Sequence, residues 1–392
     1  MPSHSPLTAT AAAGLLATAL FNSASASSWT LTDTYDANSF LQTSSWNYST
    51  GTDPTHGLVV YQSADQAKQL NLTRVENDLF YMGVSTVEEQ LAGRPSIRIN
   101  SQKSYSDGIY VLNATHMPTS CAVWPAWWTV TKNLDSWPIG GEIDIIENAN
   151  DQYDSNLASL HTNGSCILPE ANNGTGIIAY QDCGDSSTGC RIEMNGTTGA
   201  SASNTGPAFN KADGGIYAME RSLGSTGNGI RVWFWPQGSA PSDLASGSNS
   251  VNPANWGKPG AQFAIADECH ADFGEHQITF DITLCGDWAG NTYEQTSCAK
   301  TYGACSAQVG YNGSSFNEAY WAVDSVRVFS TGGGTDNAAN SANTASVSAS
   351  SVSAENAKGG NGSSSGAMVA AVALPWSVAA LVAVVSAWTL VA

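Results

Sequence analysis

The chain has 392 residues, with 33 acidic against 14 basic side chains and a formal net charge of −19. So few basic groups cannot displace counterions from phosphates, which argues strongly against a nucleic-acid binder. An apolar content of 42%, with 13 Trp, 13 Tyr and 10 Phe, rules out wholesale disorder.

Residues 1–26 contain no Lys, Arg, Asp or Glu. An apolar run from Leu7 to Phe21 leads into Ala24-Ser25-Ala26, a small-x-small cleavage pattern. This reads as a signal peptide with the mature chain starting near Ser27, although its first residues carry His4 and no Lys or Arg.

From Ser27 to Phe329 the pattern is alternation. Ile97 and Ile99 alternate in PSIRIN, Ile230, Val232 and Phe234 in GIRVWFW, and Ile278, Phe280, Ile282 and Leu284 in QITFDITLC. A period of two marks half-buried strands. Turn clusters of Gly, Asn, Ser and Pro separate them, and no long amphipathic helix or internal repeat is visible. Many short strands predict an all-β sandwich. In GIRVWFW the opposite face carries Arg231, Trp233 and Trp235. Such a face either stacks on sugar rings or forms a second apolar layer beneath a loop.

The sharpest segment is Trp137-Pro138-Ile139-Gly140-Gly141-Glu142-Ile143-Asp144-Ile145-Ile146-Glu147. Its Ile content and the Gly pair favour a strand. Ile143 and Ile145 then face the core while Glu142 and Asp144 share the other face. Strict parity would bury Glu147, which is very costly for a carboxylate. One extra residue, a β-bulge around Ile145 and Ile146, returns Glu147 to the face of Glu142. Three carboxyls this close cannot all ionise freely, so at least one pKa rises. A protonated acid beside an ionised nucleophile is what glycoside cleavage requires. The competing readings are a solvated acidic strand and a calcium site, but calcium usually takes carbonyl and Asn ligands from an irregular loop.

Eight Cys lie between Cys121 and Cys305. Their even number beside a signal peptide predicts disulfides in an oxidising compartment, with Cys183–Cys190 and Cys298–Cys305 as candidate local closures. Zinc is disfavoured because paired C-x-x-C knuckles are missing and the His residues are scattered. Glycosylation sequons stand at Asn47, Asn71, Asn113, Asn163, Asn173, Asn195 and Asn312, with an eighth at Asn361.

Residues 330–366 are almost entirely Ser, Ala, Gly, Asn, Thr and Val, the composition of a solvated stalk. Residues 367–392 are apolar and uncharged. Small residues at Asn361-Gly362-Ser363, a short spacer and this tail fit a GPI attachment signal at Asn361, with Gly360 and Gly362 as alternatives. A membrane span is disfavoured because the last basic residue, Lys358, precedes the tail.

At the acidic strand the sequence resembles the laminarinase branch of glycoside hydrolase family 16, the fungal endo-1,3(4)-β-glucanases. The resemblance rests on Glu142, Asp144 and Glu147 in GEIDIIE, on CAVWPAWW (121–128), SIRINSQKSY (96–105), LHTNGSC (160–166), GIYAMER (215–221), CGDWAG (285–290) and SVRVF (325–329). It implies a β-jelly-roll of two antiparallel sheets with a concave substrate cleft, and a retaining double displacement. By carry-over Glu142 is the nucleophile and Glu147 the acid/base. Asp144 orients the nucleophile and shares its proton, and His161 stands close to the acid/base. Trp128, Trp137 and Trp288 match aromatic cleft positions, and Arg98 a polar position beside the negative subsites. The implied substrate is a β-1,3- or mixed β-1,3/1,4-glucan. No cofactor or metal is expected, and no ligand set for a structural calcium is readable. The protein is expected to act as a secreted monomer at the cell surface, meeting the membrane only through its GPI lipid. Two alternatives stay open. One is a wall-remodelling transglycosylase. The other is a non-catalytic glucan-binding module, although such modules lose a catalytic carboxylate and all three are present here.

Overall fold

The computed structural model describes residues 29–331, apart from 153, 165, 172, 186, 195–203, 225–226 and 266. The signal peptide, the stalk, the apolar tail, Asn195 and Asn361 lie outside the described residues.

Alternation in the sequence becomes two large antiparallel sheets. One has eight strands, in the order Ile177–Tyr180, Cys190–Glu193, Leu157–His161, Glu142–Glu147, Val123–Thr131, His276–Leu284, Arg98–Ser101 and Trp46–Tyr48. The other has nine, built around Gly108–His116 between Tyr320–Thr331 and Gly215–Ser222. Three short strands, Gly51–Thr52, Val59–Tyr61 and Arg94–Ser96, form a small third sheet. The longest α-helix among the described residues has 7 residues, Cys305–Tyr311. This is the all-β sandwich that the period of two predicts.

The core lies between the two large sheets. Ile278, Phe280, Ile282 and Leu284 are fully buried there from one side, and Tyr217, Met219, Ile230 and Val232 from the other. Alternate positions leave this layer. On His276–Leu284 they are Gln277, Thr279, Asp281 and Thr283, so the outer face of the eight-stranded sheet is polar where the inner one is aliphatic.

The outer face of the nine-stranded sheet resolves the two readings of GIRVWFW. Trp233 is only 2% exposed and packs with Trp29, Leu244, Val251 and Trp256, with Trp235 against the same group. The sugar-stacking reading is corrected: these rings form a second apolar layer under the segment that carries Leu244 and Trp256. They sit on the other sheet from the acidic strand.

Four disulfides form: Cys121–Cys298, Cys166–Cys269, Cys183–Cys190 and Cys285–Cys305. The local closure Cys183–Cys190 is as expected. The closure Cys298–Cys305 is corrected, because that segment folds into two short helices, Cys298–Tyr302 and Cys305–Tyr311. Each opening cysteine is delivered to the end of a different strand, Val123–Thr131 or His276–Leu284. The Cys121–Cys298 bridge spans a sequence separation of 177, the longest of the four. On a chain-entropy basis alone it would stabilise the fold by about 5 kcal/mol.

Candidate active site

The bulge forms where parity requires it. Trp127 pairs with Ile146 and Trp128 with Asp144, which leaves Ile145 as the extra residue. On the other side Asp144 pairs with Ser159 and Glu147 with Leu157. All three isoleucines, Ile143, Ile145 and Ile146, are fully buried. Glu142, Asp144 and Glu147 therefore share the outer face of the eight-stranded sheet.

The start of this strand is fixed by the preceding glycines. Gly140 and Gly141 have φ of 91° and 79°, a region that other residues enter only with strain. A Cβ on Gly141 would also stand 2.6 Å from the Phe273 ring. Buried His276 donates from Nε2 to the Gly140 carbonyl (2.7 Å) and accepts at Nδ1 from the Thr129 hydroxyl (2.9 Å). Burial, reinforced by Arg221, pushes the His276 pKa down to about 3, so it serves as a neutral brace.

Cross-strand register places the other residues. The expected place of His161 beside the acid/base is corrected: it stands opposite Glu142, with its Nε2 3.5 Å from Asp144 Oδ2, while Glu147 pairs with Leu157 at the other end of the same strand. Acceptor and donor atoms of Glu142, Asp144 and His161 all fall within 4.8 Å of one another. The Trp137 indole donates to Glu142 Oε2 (2.9 Å), and its ring centroid is 5.7 Å from that of His161. The Trp124 indole donates to Glu147 Oε1 (2.7 Å) and meets Trp288 edge to face at 5.7 Å. Each glutamate is thus held by one indole N–H. Trp137, 37% exposed, stands out as a platform. Trp128, opposite Asp144, is only 8% exposed and forms floor, with the Arg98 guanidinium 4.8 Å from its ring centroid. Arg98 in turn lies 3.8 Å from Asp281. All eight expected catalytic and binding residues therefore gather at this face, Trp288 through Trp124.

Sequence reasoning did not single out Trp124, Asp281, His276, Arg191 or Asn156. Asp281 was legible by alternation within QITFDITLC, whereas Trp124 lay inside CAVWPAWW, a motif quoted for the resemblance alone. His276, Arg191 and Asn156 act across strands, and no local pattern marks them.

Burial governs the electrostatics. It pushes Glu142 up to about 8, helped by the Glu147 charge and opposed by the Trp137 N–H. It pushes Glu147 up to about 7, opposed by the Trp124 N–H and by Arg191. Asp144, 3% exposed, rises well above the usual carboxylate range, first by burial and then by the charges of Glu142 and Glu147. The two glutamates titrate close together as one set, and their order does not by itself separate nucleophile from acid.

The sequons are scattered over the surface. Asn47, Asn71, Asn163 and Asn173 are exposed, Asn312 is half-buried, and Asn113 is half-buried in the middle of a sheet strand. Asn47 pairs with Asn100 at the far edge of the cleft-bearing sheet.

The family described as XgeA-like, catalytic GH16 domain, matches residues 46–329. A protein of Aspergillus fumigatus named a probable endo-1,3(4)-β-glucanase is 38% identical over 312 residues, 77% of this chain and 45% of that protein. The chain thus spans about half the length of this relative, 45%. Among solved structures, laminarinase 16A of Phanerochaete chrysosporium, bound to two β-glucans in its donor and acceptor sites, superposes with a TM-score of 0.67 at 36% identity, covering 77% of this chain and 99% of that one. An elongating family 16 β-1,3-glucosyltransferase superposes with the same TM-score of 0.67 at 30% identity, covering 77% of this chain and 99% of that one.

Proposed function

The chain belongs to glycoside hydrolase family 16, and on that premise we propose that it hydrolyses internal β-1,3 bonds, or mixed β-1,3/1,4 bonds, in glucans with retention of anomeric configuration. The observation that carries the reading is the bulge at Ile145, which turns Glu142 and Glu147 to one face, each tethered by an indole. The family motif assigns the roles. Ionised Glu142 attacks the anomeric carbon as Glu147 protonates the departing glycosidic oxygen, leaving a glycosyl ester on Glu142. Glu147, now ionised, then takes a proton from the incoming water, whose oxygen attacks the same carbon and frees Glu142. Asp144 lies between them on the same strand face, where burial favours its protonated form, and the family motif gives it the role of orienting the nucleophile. Trp137 offers a stacking face on the Glu142 side, and the Trp124–Trp288 pair one on the Glu147 side.

A second reading has a specific observation behind it, the likeness to the elongating glucosyltransferase. There a sugar hydroxyl replaces water in the second step. Product sizes separate the two. Incubated with laminarin, lichenan and insoluble β-1,3-glucan in parallel, the protein is expected to release short oligosaccharides with new reducing ends from internal cuts. Products longer than the starting oligosaccharide would establish transfer, and binding without new reducing ends would reduce it to a binding module.

Secretion, seven N-glycans, action as a monomer and a GPI lipid at Asn361 belong to the same proposal. So does the division of the chain at 26, 329 and 366. Four disulfides support the oxidising compartment.

A further inference from the structure

We propose that Asn156 is the positioning residue for Glu147: its carboxamide clamps the two backbone groups that the bulge deprives of sheet partners. The inference rests on the reading of Glu147 as the acid/base.

Between Asp144 and Glu147 the acidic strand runs three residues against two on Leu157–His161. A ladder cannot satisfy both strands across such a mismatch. Two groups are left over, the Ile145 carbonyl and the Glu147 N–H. Asn156, fully buried and immediately before Leu157–His161, meets both. Its Nδ2 donates to the Ile145 carbonyl (2.7 Å), and its Oδ1 accepts from the Glu147 N–H (3.1 Å). The opposite amide orientation would face donor to donor and acceptor to acceptor, so only one is allowed.

Asn156 is itself held from behind. Its backbone N–H donates to Asn204 Oδ1 (3.1 Å), and its carbonyl accepts from the Met194 N–H (2.9 Å). Asn204 Nδ2 donates to the Met194 carbonyl (2.7 Å), and the Tyr217 hydroxyl donates to the Asn204 carbonyl. Asn204 is 2% exposed and Tyr217 fully buried. The chain of bonds therefore runs from the core of the opposite sheet to the backbone of Glu147. Trp124 restrains the carboxylate end of the same residue. Without the clamp, the stranded groups regain partners most simply by a one-residue slip, which turns Glu147 toward the core.

Ala at this position supplies neither bond, Asp presents a second acceptor to the Ile145 carbonyl, and Gln adds a methylene where Asn156 is already fully buried.

The test compares kcat/KM on two substrates. Laminarin needs the leaving oxygen protonated, whereas 2,4-dinitrophenyl β-laminaribioside loses its phenolate without an acid. In Asn156→Ala, kcat/KM for laminarin is expected to fall about 10²-fold, the effect of a misplaced catalytic group. On the dinitrophenyl glycoside it should change by less than about fivefold, because no proton transfer is needed. Equal losses on both substrates, or no loss on laminarin, overturn the inference. Should Asn156→Ala not give folded protein, Asn156→Asp carries the same comparison. Glu147→Gln is the benchmark. If it shows the split and Asn156→Ala does not, only the positioning role falls; if Glu147→Gln loses equally on both, the acid assignment falls and this inference with it.

Discussion

Glu142→Gln is expected to lose about 10⁴-fold or more of its turnover on β-1,3-glucan, because an amide cannot form the glycosyl ester on which both steps depend. The fold should survive the change. Gln is isosteric, and its carbonyl oxygen can still accept from the Trp137 indole that now donates to Glu142 Oε2. Stability should even rise, with a definite pH dependence. Burial, aided by the Glu147 charge, raises the Glu142 pKa from 4.5 to about 8. The native state therefore binds this proton more tightly than the unfolded chain does. That contribution is complete below about 4.5 and is lost as pH rises through about 8. At pH 9 the wild type bears a buried carboxylate that the variant lacks, so Glu142→Gln should be more stable there by several kcal/mol, about 5 at most, and the gap should close near pH 4. Thermal melts of both proteins at the two pH values check this. A variant that turns over glucan at more than a few per cent of wild type removes Glu142 from the nucleophile's role.

Glu147→Gln is expected to behave differently. Kcat/KM on laminarin should fall about 10³-fold, the typical worth of a general acid. Azide, a nucleophile that needs no general base, should restore turnover of the dinitrophenyl glycoside and yield a β-glycosyl azide. The pH profile is the sharper signature. Burial raises the Glu147 pKa from 4.5 to about 7 against the Trp124 N–H and Arg191. The productive pair carries one proton between values of about 7 and 8, so wild-type kcat/KM should fall about tenfold per pH unit above about 8, where that last proton is lost. In Glu147→Gln this basic limb should vanish. Persistence of the limb in the variant would assign it to another group of the set.

Much of this site was legible because cost decides it locally. Isoleucine at 143 and 145 fixes which way the acidic strand faces, and the price of burying Glu147 then demands an extra residue. What holds the bulge was not legible. Asn156 acts from the next strand, and its bonds exist only once Leu157–His161 has paired. His276 is hidden for the same reason, since it braces Gly140 from a distant strand. Asp281 was half visible, an acid at an alternate position of QITFDITLC whose significance depends on Arg98 standing beside it. Alternation also identified the face carrying Trp233 and Trp235 but not what covers it. The covering residues, Leu244 and Trp256, come from a segment without periodicity. Disulfide partners failed in the same way. Cys183 and Cys190 meet because a short loop closes on itself, whereas Cys298 and Cys305 sit on two helices that serve different strands.

A covalent intermediate on Glu142 is the core of the proposed mechanism, and the stereochemical course of hydrolysis tests it most directly. Proton NMR of laminarin taken in the first minutes, before mutarotation, should show the β-anomer of the new reducing end appearing first. Initial release of the α-anomer would mean a single displacement by water and would contradict the assignment of Glu142 and Glu147 as nucleophile and acid/base.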